Sequence, residues 1–151
     1  MLELVDYDEQ FLSISWKWLN DVEIKRLTMT PVFTEQDQTR FFKSIKKRKD
    51  YKIFGIVFNN SRIGACGLKN IRCYRAEYWG YIGEKEYWGR GLGKEMMMKI
   101  LDVANKEGIK SIYLKVHKDN YRAISLYKKL SFVEDVSQST SDVIQMELEL
   151  L

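Results

Sequence analysis

Proline, cysteine and histidine are scarce in this 151-residue chain, which has one proline, two cysteines and one histidine. Cys66, Cys73 and the distant His117 make neither a disulfide framework nor a zinc ligand set, so we expect reduced thiols and no metal. No stretch approaches the ~18 apolar residues of a membrane span, and residues 1–10 are acidic without the apolar segment of a secretion signal. We therefore expect a cytoplasmic protein that does not bind a membrane.

The lone proline and the lack of a Gly/Ser-rich tract leave no linker, so we expect a single domain over residues 1–151. The net charge is only +4, and the one basic cluster is residues 46–49. It closes a predicted helix whose first turn is acidic, as the helix dipole favours. We interpret it as a solvated helix end rather than a nucleic-acid surface, which would need more bases and interleaved aromatics. A homodimer is compatible with the sequence but is not indicated by it.

Periodicity predicts an α+β chain with about four helices around a mostly antiparallel sheet. Short links at residues 59–61 and 72–74 suit hairpins, whereas a helix between two later strands makes those strands a parallel pair. The predicted helices are 9–20, 35–47, 91–107 and 121–130. The predicted strands are 2–5, 51–58, 62–71, 75–83, 111–116, 132–136 and 143–150.

Glycine stands at every second position in one loop, as Gly89, Gly91 and Gly93, between a predicted strand and a predicted helix. The first amides of a helix have no internal acceptors and carry the positive end of its dipole, so a phosphate group placed there pairs with several donors. Neither the Walker pattern nor the dinucleotide G-x-G-x-x-G pattern fits this spacing. The alternative is a glycine-rich turn that binds nothing.

Two ordered motifs, with a predicted helix and strand between them, give this loop a context. They are Trp88-x-x-Gly91-x-Gly93 and Asn120-x-x-Ala123-x-x-x-Tyr127. They match Arg/Gln-x-x-Gly-x-Gly/Ala and Asn-x-x-Ala-x-x-x-Tyr, the two signatures of the GNAT superfamily of acetyl-coenzyme A-dependent N-acetyltransferases, which segment 77–132 resembles. Trp88 departs from the usual Arg or Gln and removes a cation. Ser131 replaces the usual Gly before Phe132, so we expect that turn to be built differently.

The resemblance implies that acetyl-CoA is the co-substrate and that its pyrophosphate binds at the loop, through Trp88, Gly89, Arg90, Gly91, Leu92, Gly93 and Lys94. It also implies that the two parallel strands splay apart around the pantetheine arm. Backbone groups of Tyr81, Ile82 and Gly83 would then pair with pantetheine as an added strand does. Asn120 and Ala123 would contact the cofactor, and Asn120 could equally cap its helix. The alternative is a continuous sheet with a bulge at Gly83.

The chemistry of such an enzyme is aminolysis of a thioester. A primary amine with a lysine-like pKa near ~10.4 is mostly ammonium at neutral pH, so a base must remove a proton, usually through water. Glu77 stands eleven residues before Trp88, the spacing of the glutamate base in part of the family, and shares a strand face with Trp79 and Tyr81. The alternative for Glu77 is a surface carboxylate paired with a lysine or arginine.

Tyr127 falls on the family's general-acid position, from which it would protonate the departing thiolate. The alternative is a core tyrosine whose hydroxyl is hydrogen-bonded. We assign no catalytic role to His117, because it follows a strand in a polar turn and direct transfer needs no nucleophile.

We expect the acceptor to be a small-molecule amine, because segments 16–21, 28–34 and 64–68 loosely resemble GNAT members that acetylate nucleotide-linked amino sugars. Trp16, Trp18, Lys25 and Arg26 would stack a base and hold phosphates, with core packing of the tryptophans as the alternative. A polyamine or aminoglycoside would need converging carboxylates, and a protein N-terminus an open groove. A non-catalytic coenzyme A sensor remains the other class. The carboxylates available to bind a polyamine or aminoglycoside are Asp6, Asp8, Glu9, Asp21, Glu23, Glu35 and Asp37.

Overall fold

Seven strands form one mixed sheet in residues 1–150, the part of the chain that the computed structural model describes. Within that range five α-helices flank the sheet, and none is long and apolar enough to cross a membrane. The predicted α+β class is confirmed. The strands are β1 (Leu2–Asp6), β2 (Lys52–Phe58), β3 (Ser61–Arg72), β4 (Arg75–Ile82), β5 (Ser111–His117), β6 (Val133–Glu134) and β7 (Val143–Glu149). The helices are α1 (Glu9–Asn20), α2 (Val22–Leu27), α3 (Glu35–Ile45), α4 (Leu92–Lys106) and α5 (Tyr121–Lys129).

Two elements differ from the prediction, and in both an aspartate is responsible. The six-residue helix α2 was missed because Asp21 ends α1 and at once caps the next helix, accepting from the amides of Glu23 and Ile24. The strand expected over 132–136 shrinks to Val133–Glu134, because Asp135 caps a single 3-10 turn by accepting from the Ser137 amide at 3.1 Å.

The sheet order is β1-β2-β3-β4-β5-β7-β6, and every neighbouring pair is antiparallel except β4 and β5. Those two parallel strands pair only from Arg75–Ser111 to Tyr78–Leu114. Beyond that point β4 stays with β3 as far as Ile82, and β5 stays with β7 as far as His117. The strands therefore diverge, and the expected splay is confirmed. We call the opening between Trp79–Ile82 and Lys115–His117 the gap.

The helices cover the sheet on both sides of the gap. On one face α1 packs so closely that a Cβ on Gly55 would stand 2.3 Å from the Phe11 ring. On the other face the buried side of α4, including Met97 and Ile100, joins the main hydrophobic core of the sheet. Successive strand residues point to opposite faces of the sheet, so different side chains border the gap on each face.

We expected Ser131 to change the turn after α5, but the structure shows the turn that a glycine would form. The Ser131 φ of +76° is the left-handed conformation that a glycine at this position would favour. The turn is closed by the Phe132 amide, which donates to the Tyr127 carbonyl at 3.0 Å. The serine therefore accepts a strained backbone and keeps the glycine-type geometry.

Candidate active site

The glycine loop lies at the mouth of the gap and leads directly into α4. Gly89 and Gly91 have φ values of +74° and +78°, and a Cβ built on either would meet no atom within 4 Å. Both residues thus turn an unobstructed backbone outward. Gly91 is the N-cap of α4 and gives no side-chain cap, so the first amides of the helix depend on an external acceptor. This geometry fits a phosphate group.

The remaining loop residues contribute in different ways. Leu92 is buried in the core, which leaves only its backbone for a ligand, and a Cβ on Gly93 would stand 3.5 Å from Leu126. The Arg90 guanidinium lies 5.0 Å from the Tyr87 ring centroid, so it stacks on the 3-10 turn Lys85–Tyr87, which precedes the loop. Lys94 is exposed on the first turn of α4.

Trp88 closes the loop against the end of β4. Its indole N–H donates to the Ile82 carbonyl at 2.8 Å, which places the ring at the mouth of the gap. Two cations approach that ring: the Arg122 guanidinium at 5.3 Å and the Lys85 ammonium at 5.8 Å from its centroid. The tryptophan that stands where the family usually has Arg or Gln is therefore approached by two cations from other positions.

The backbone groups that face the gap differ from those expected. The Gly83 amide donates to Ile63 on β3 at 2.6 Å, and the Ile82 carbonyl is taken by Trp88, so neither group is free. Ladder bonds alternate along a strand, so the backbone of Tyr81 also faces β3. The same alternation turns the backbone of Gly80 and the Ile82 amide toward the gap. Gly80 was missed because the sequence does not reveal which alternate residues face which neighbour.

Tyr127 reaches the sheet from α5 and packs edge-on against Tyr78, with ring centroids 6.4 Å apart. Tyr78 is the last β4 residue paired with β5, so this contact lies where the gap begins. Burial raises the pKa of Tyr127 well above its ordinary value, and the hydroxyl therefore keeps its proton at neutral pH. Asn120 caps α5 by accepting from the Ala123 amide at 3.4 Å, which fixes the first turn of the helix that carries Tyr127.

Glu77 precedes Tyr78 and points to the opposite face of the sheet. It is only 6% exposed, so it does not lie on the surface, although it has the lysine partner that the alternative interpretation expected. One carboxylate oxygen accepts from the side-chain amide of Asn70 at 3.1 Å, and the other lies 3.8 Å from the Lys69 ammonium. Trp79 and Tyr81 follow on the same face with stacked rings at 6.3 Å, and they form an aromatic wall beside the carboxylate.

Helix α1 borders this aromatic wall, where the Trp18 ring meets Tyr81 edge-on. Trp18 is structural: it is buried, its ring occupies the space that a Cβ on Gly83 would take, and its indole N–H donates to Glu84. Trp16 instead meets Phe33 edge-on at 5.1 Å, and the Lys25 ammonium lies 5.9 Å from the Phe33 centroid. We call Trp16, Lys25 and Phe33 the platform.

His117 ends β5 and accepts the Asp119 amide on Nδ1 at 3.1 Å, a contact that fits a turn. Over the described residues no cluster of three His, Cys, Asp or Glu side chains could hold a metal ion.

The comparisons with known proteins agree with this geometry. The chain belongs to the acetyltransferase (GNAT) family, whose sequence model matches residues 17–132. GNAT acetyltransferases use acetyl-CoA, the ligand in the PseH complex described below. Among curated proteins it is 27% identical over 75 residues to the [ribosomal protein bS18]-alanine N-acetyltransferase of Escherichia coli K12. That match spans about half of each protein, 50% of this chain and 51% of the relative.

Two solved structures share the fold over almost their whole length. The spermidine N-acetyltransferase of Vibrio cholerae, in complex with CoA and spermine, is 21% identical with a TM-score of 0.87, covering 98% of this chain and 95% of that one. The Campylobacter jejuni N-acetyltransferase PseH, in complex with acetyl coenzyme A, is 19% identical with a TM-score of 0.77 and full coverage of both chains. The alanine of bS18 and spermidine, named for two of these relatives, are different kinds of acceptor, so the comparisons leave the substrate class open.

The glycine loop generates a prediction with a matched control. Gly91→Val and Gly108→Val both force a β-branched residue into a left-handed conformation, with φ of +78° and +77°, and both side chains project into open space. Each should destabilise the fold by at least ~1–2 kcal/mol. Only Gly91→Val should weaken CoA binding, because its side chain obstructs the loop. Calorimetric titration and thermal unfolding of both variants measure this, and equal CoA affinities would place the phosphate site elsewhere.

Proposed function

We propose that this chain, as one catalytic domain, transfers the acetyl group of acetyl-CoA directly to the primary amine of a nucleotide-linked amino sugar. The gap is the observation that supports this proposal. At its closed end, Glu77 lies on one face of the sheet and Tyr127 packs on the other. A thioester lying in it would present its carbonyl carbon to an amine from the first face and its sulfur to a proton donor on the second. No covalent enzyme intermediate is needed.

In the proposed reaction Glu77 accepts a proton from the ammonium through water. The free amine attacks the thioester carbonyl and the C–N bond forms. The nitrogen then loses its second proton to water, and the C–S bond breaks. Tyr127 then donates its proton to the coenzyme A thiolate and recovers it from solvent. The aromatic wall of Trp79 and Tyr81 excludes bulk water from the Glu77 side, and Asn70 and Lys69 hold the carboxylate in place.

The carboxylates near the N-terminus weigh against a polyamine acceptor, because most are already engaged. Asp8 and Asp21 cap α1 and α2, and Asp37 completes the capping box of α3 by accepting from the Thr34 amide. The Lys85 ammonium lies 2.9 Å from Asp21 and 3.1 Å from Glu23, and Arg40 pairs with Asp37. A polycation would have to displace these partners. The set therefore supports the folding of the helices rather than an anionic acceptor groove.

The platform supports a nucleotide-linked acceptor. The half-buried rings of Trp16 and Phe33 offer apolar surface to a base, and Lys25 is within reach of a diphosphate. Arg26 lies beside it on α2 but already pairs with Asp119 at 3.3 Å, which ties α2 to the loop after β5. The nucleotide would thus bind at α2 while the sugar amine reaches Glu77.

The substrate class is tested by incubating the enzyme and acetyl-CoA with a panel of amines and measuring free thiol. The panel contains a uridine diphosphate-linked amino sugar, the same amino sugar without nucleotide, spermidine, an aminoglycoside and a peptide with an N-terminal alanine. We expect the nucleotide-linked sugar to exceed the others in kcat/KM by orders of magnitude. Lys25→Ala should raise its KM and leave the free amino sugar unaffected.

Other outcomes of the panel reassign the protein. Faster turnover of spermidine or of the peptide would retain the enzyme class and reject the nucleotide-linked sugar. Intact CoA binding without thiol release from any amine would favour a sensor module.

The role of Glu77 is tested by pH. Glu77→Gln should lower the rate by the ~10²–10⁴ typical of a general base, with the largest loss at mildly acidic pH, where the acceptor is ammonium. The loss should shrink as pH rises, because free amine then forms without a base. Tyr127→Phe is the matched comparison: it removes a proton donor, so its rate should stay low at high pH. A Glu77→Gln profile parallel to wild type would contradict the assignment.

A further inference from the structure

Arg122 is a cation at the mouth of the gap whose partner is an aromatic ring. It lies in the first turn of α5, and its guanidinium carbon is 5.3 Å from the centroid of Trp88 in the glycine loop. None of the ion pairs formed within residues 1–150 involves Arg122. Its positive charge is therefore not neutralised by a carboxylate of this part of the chain.

Two other cations near the loop, Lys85 and Arg90, have partners of their own, whereas Lys94 is exposed on the first turn of α4. Lys85, which also approaches the Trp88 ring, is held by Asp21 and Glu23. Arg90 is stacked between Tyr87 at 5.0 Å and Phe58 at 5.7 Å. Arg122 alone among these cations approaches the loop from α5, the helix on the other side of the gap.

Trp88 provides a fixed surface for this guanidinium. Its indole N–H is bonded to the Ile82 carbonyl at 2.8 Å, so the ring is held at the end of β4. A guanidinium stacked on an aromatic face keeps its N–H donors at its edge, where they remain available for a phosphate. Stacking also restricts the arginine side chain before a ligand arrives, which lowers the entropy lost on binding.

We propose that Arg122, stacked on Trp88, supplies the phosphate-binding cation that the Trp88 position lacks and binds the pyrophosphate of acetyl-CoA from the α5 side. The amides at the start of α4 bind the group from one side and the guanidinium binds it from the other. The contact between Arg122 and Trp88 also joins the glycine loop to α5 across the gap. Arg122 and Trp88 thereby determine selectivity for a phosphorylated acyl carrier.

The proposal is tested by calorimetric titration of Arg122→Ala with CoA and with dephospho-CoA, which keeps the pyrophosphate and lacks the 3′-phosphate. Loss of a charge-assisted contact should weaken both ligands by about tenfold to a hundredfold. Turnover of S-acetylpantetheine, which has no phosphate, should keep its kcat/KM. Lys129→Ala, an exposed cation at the other end of α5, is the charge-matched control and should leave both affinities unchanged.

A rescue variant separates the cation from packing. Trp88→Arg in the Arg122→Ala background restores one cation at the loop and should recover most of the lost CoA affinity. In the wild-type background the same change should gain little, because Arg122 already supplies the charge. This non-additivity is expected only if the two positions serve one phosphate group.

Three results would overturn the proposal. Unchanged CoA affinity in Arg122→Ala would show that the stacked guanidinium contacts no phosphate. Equal losses with CoA and S-acetylpantetheine would show a structural defect. A loss confined to CoA and absent with dephospho-CoA would assign Arg122 to the 3′-phosphate instead of the pyrophosphate.

Discussion

The divergence of β4 from β5 after Tyr78 and Leu114 is the constraint on which the rest of the structure depends. Each strand keeps its outer partner, so the only ladder bonds given up are those between the two strands. Backbone groups left unpaired in this way are costly unless water or a ligand pairs with them. The gap therefore offers unpaired backbone groups to an extended ligand with amide groups, and we propose that the pantetheine arm of acetyl-CoA is that ligand.

At the point of divergence, the two candidate proton-transfer residues lie on opposite faces of the sheet. Because neighbouring residues alternate, Glu77 and Tyr78 point in opposite directions from the closed end of the gap. Tyr78 leads to Tyr127 on the α5 side, whereas Glu77 lies with the aromatic wall on the α1 side. A proton can thus be removed from the amine and another given to the thiolate without the two groups meeting. We regard this separation as the physical basis of the proposed direct transfer.

The sequence predicted the elements whose signals are local. The alternating glycines and the periodicity of α4 located the loop, and segment 75–116 indicated a parallel pair. What it could not predict depends on tertiary contacts. Trp18 resembled a ligand-binding aromatic and is instead packed on Gly83, and several acidic residues that resembled a polyamine site are helix caps. Arg122 was unremarkable in the sequence because its contact with Trp88 bridges two elements far apart in the chain.

Hydrogen exchange at the edge of β4 tests most directly whether the gap receives the pantetheine arm. The Gly80 and Ile82 amides face the gap, whereas the Gly83 amide donates to Ile63 and serves as an internal control. Without ligand, Gly80 and Ile82 should exchange much faster than Gly83, and saturating CoA should slow both while leaving Gly83 unchanged. Equal protection of the three amides without ligand, or no change on CoA binding, would contradict the account.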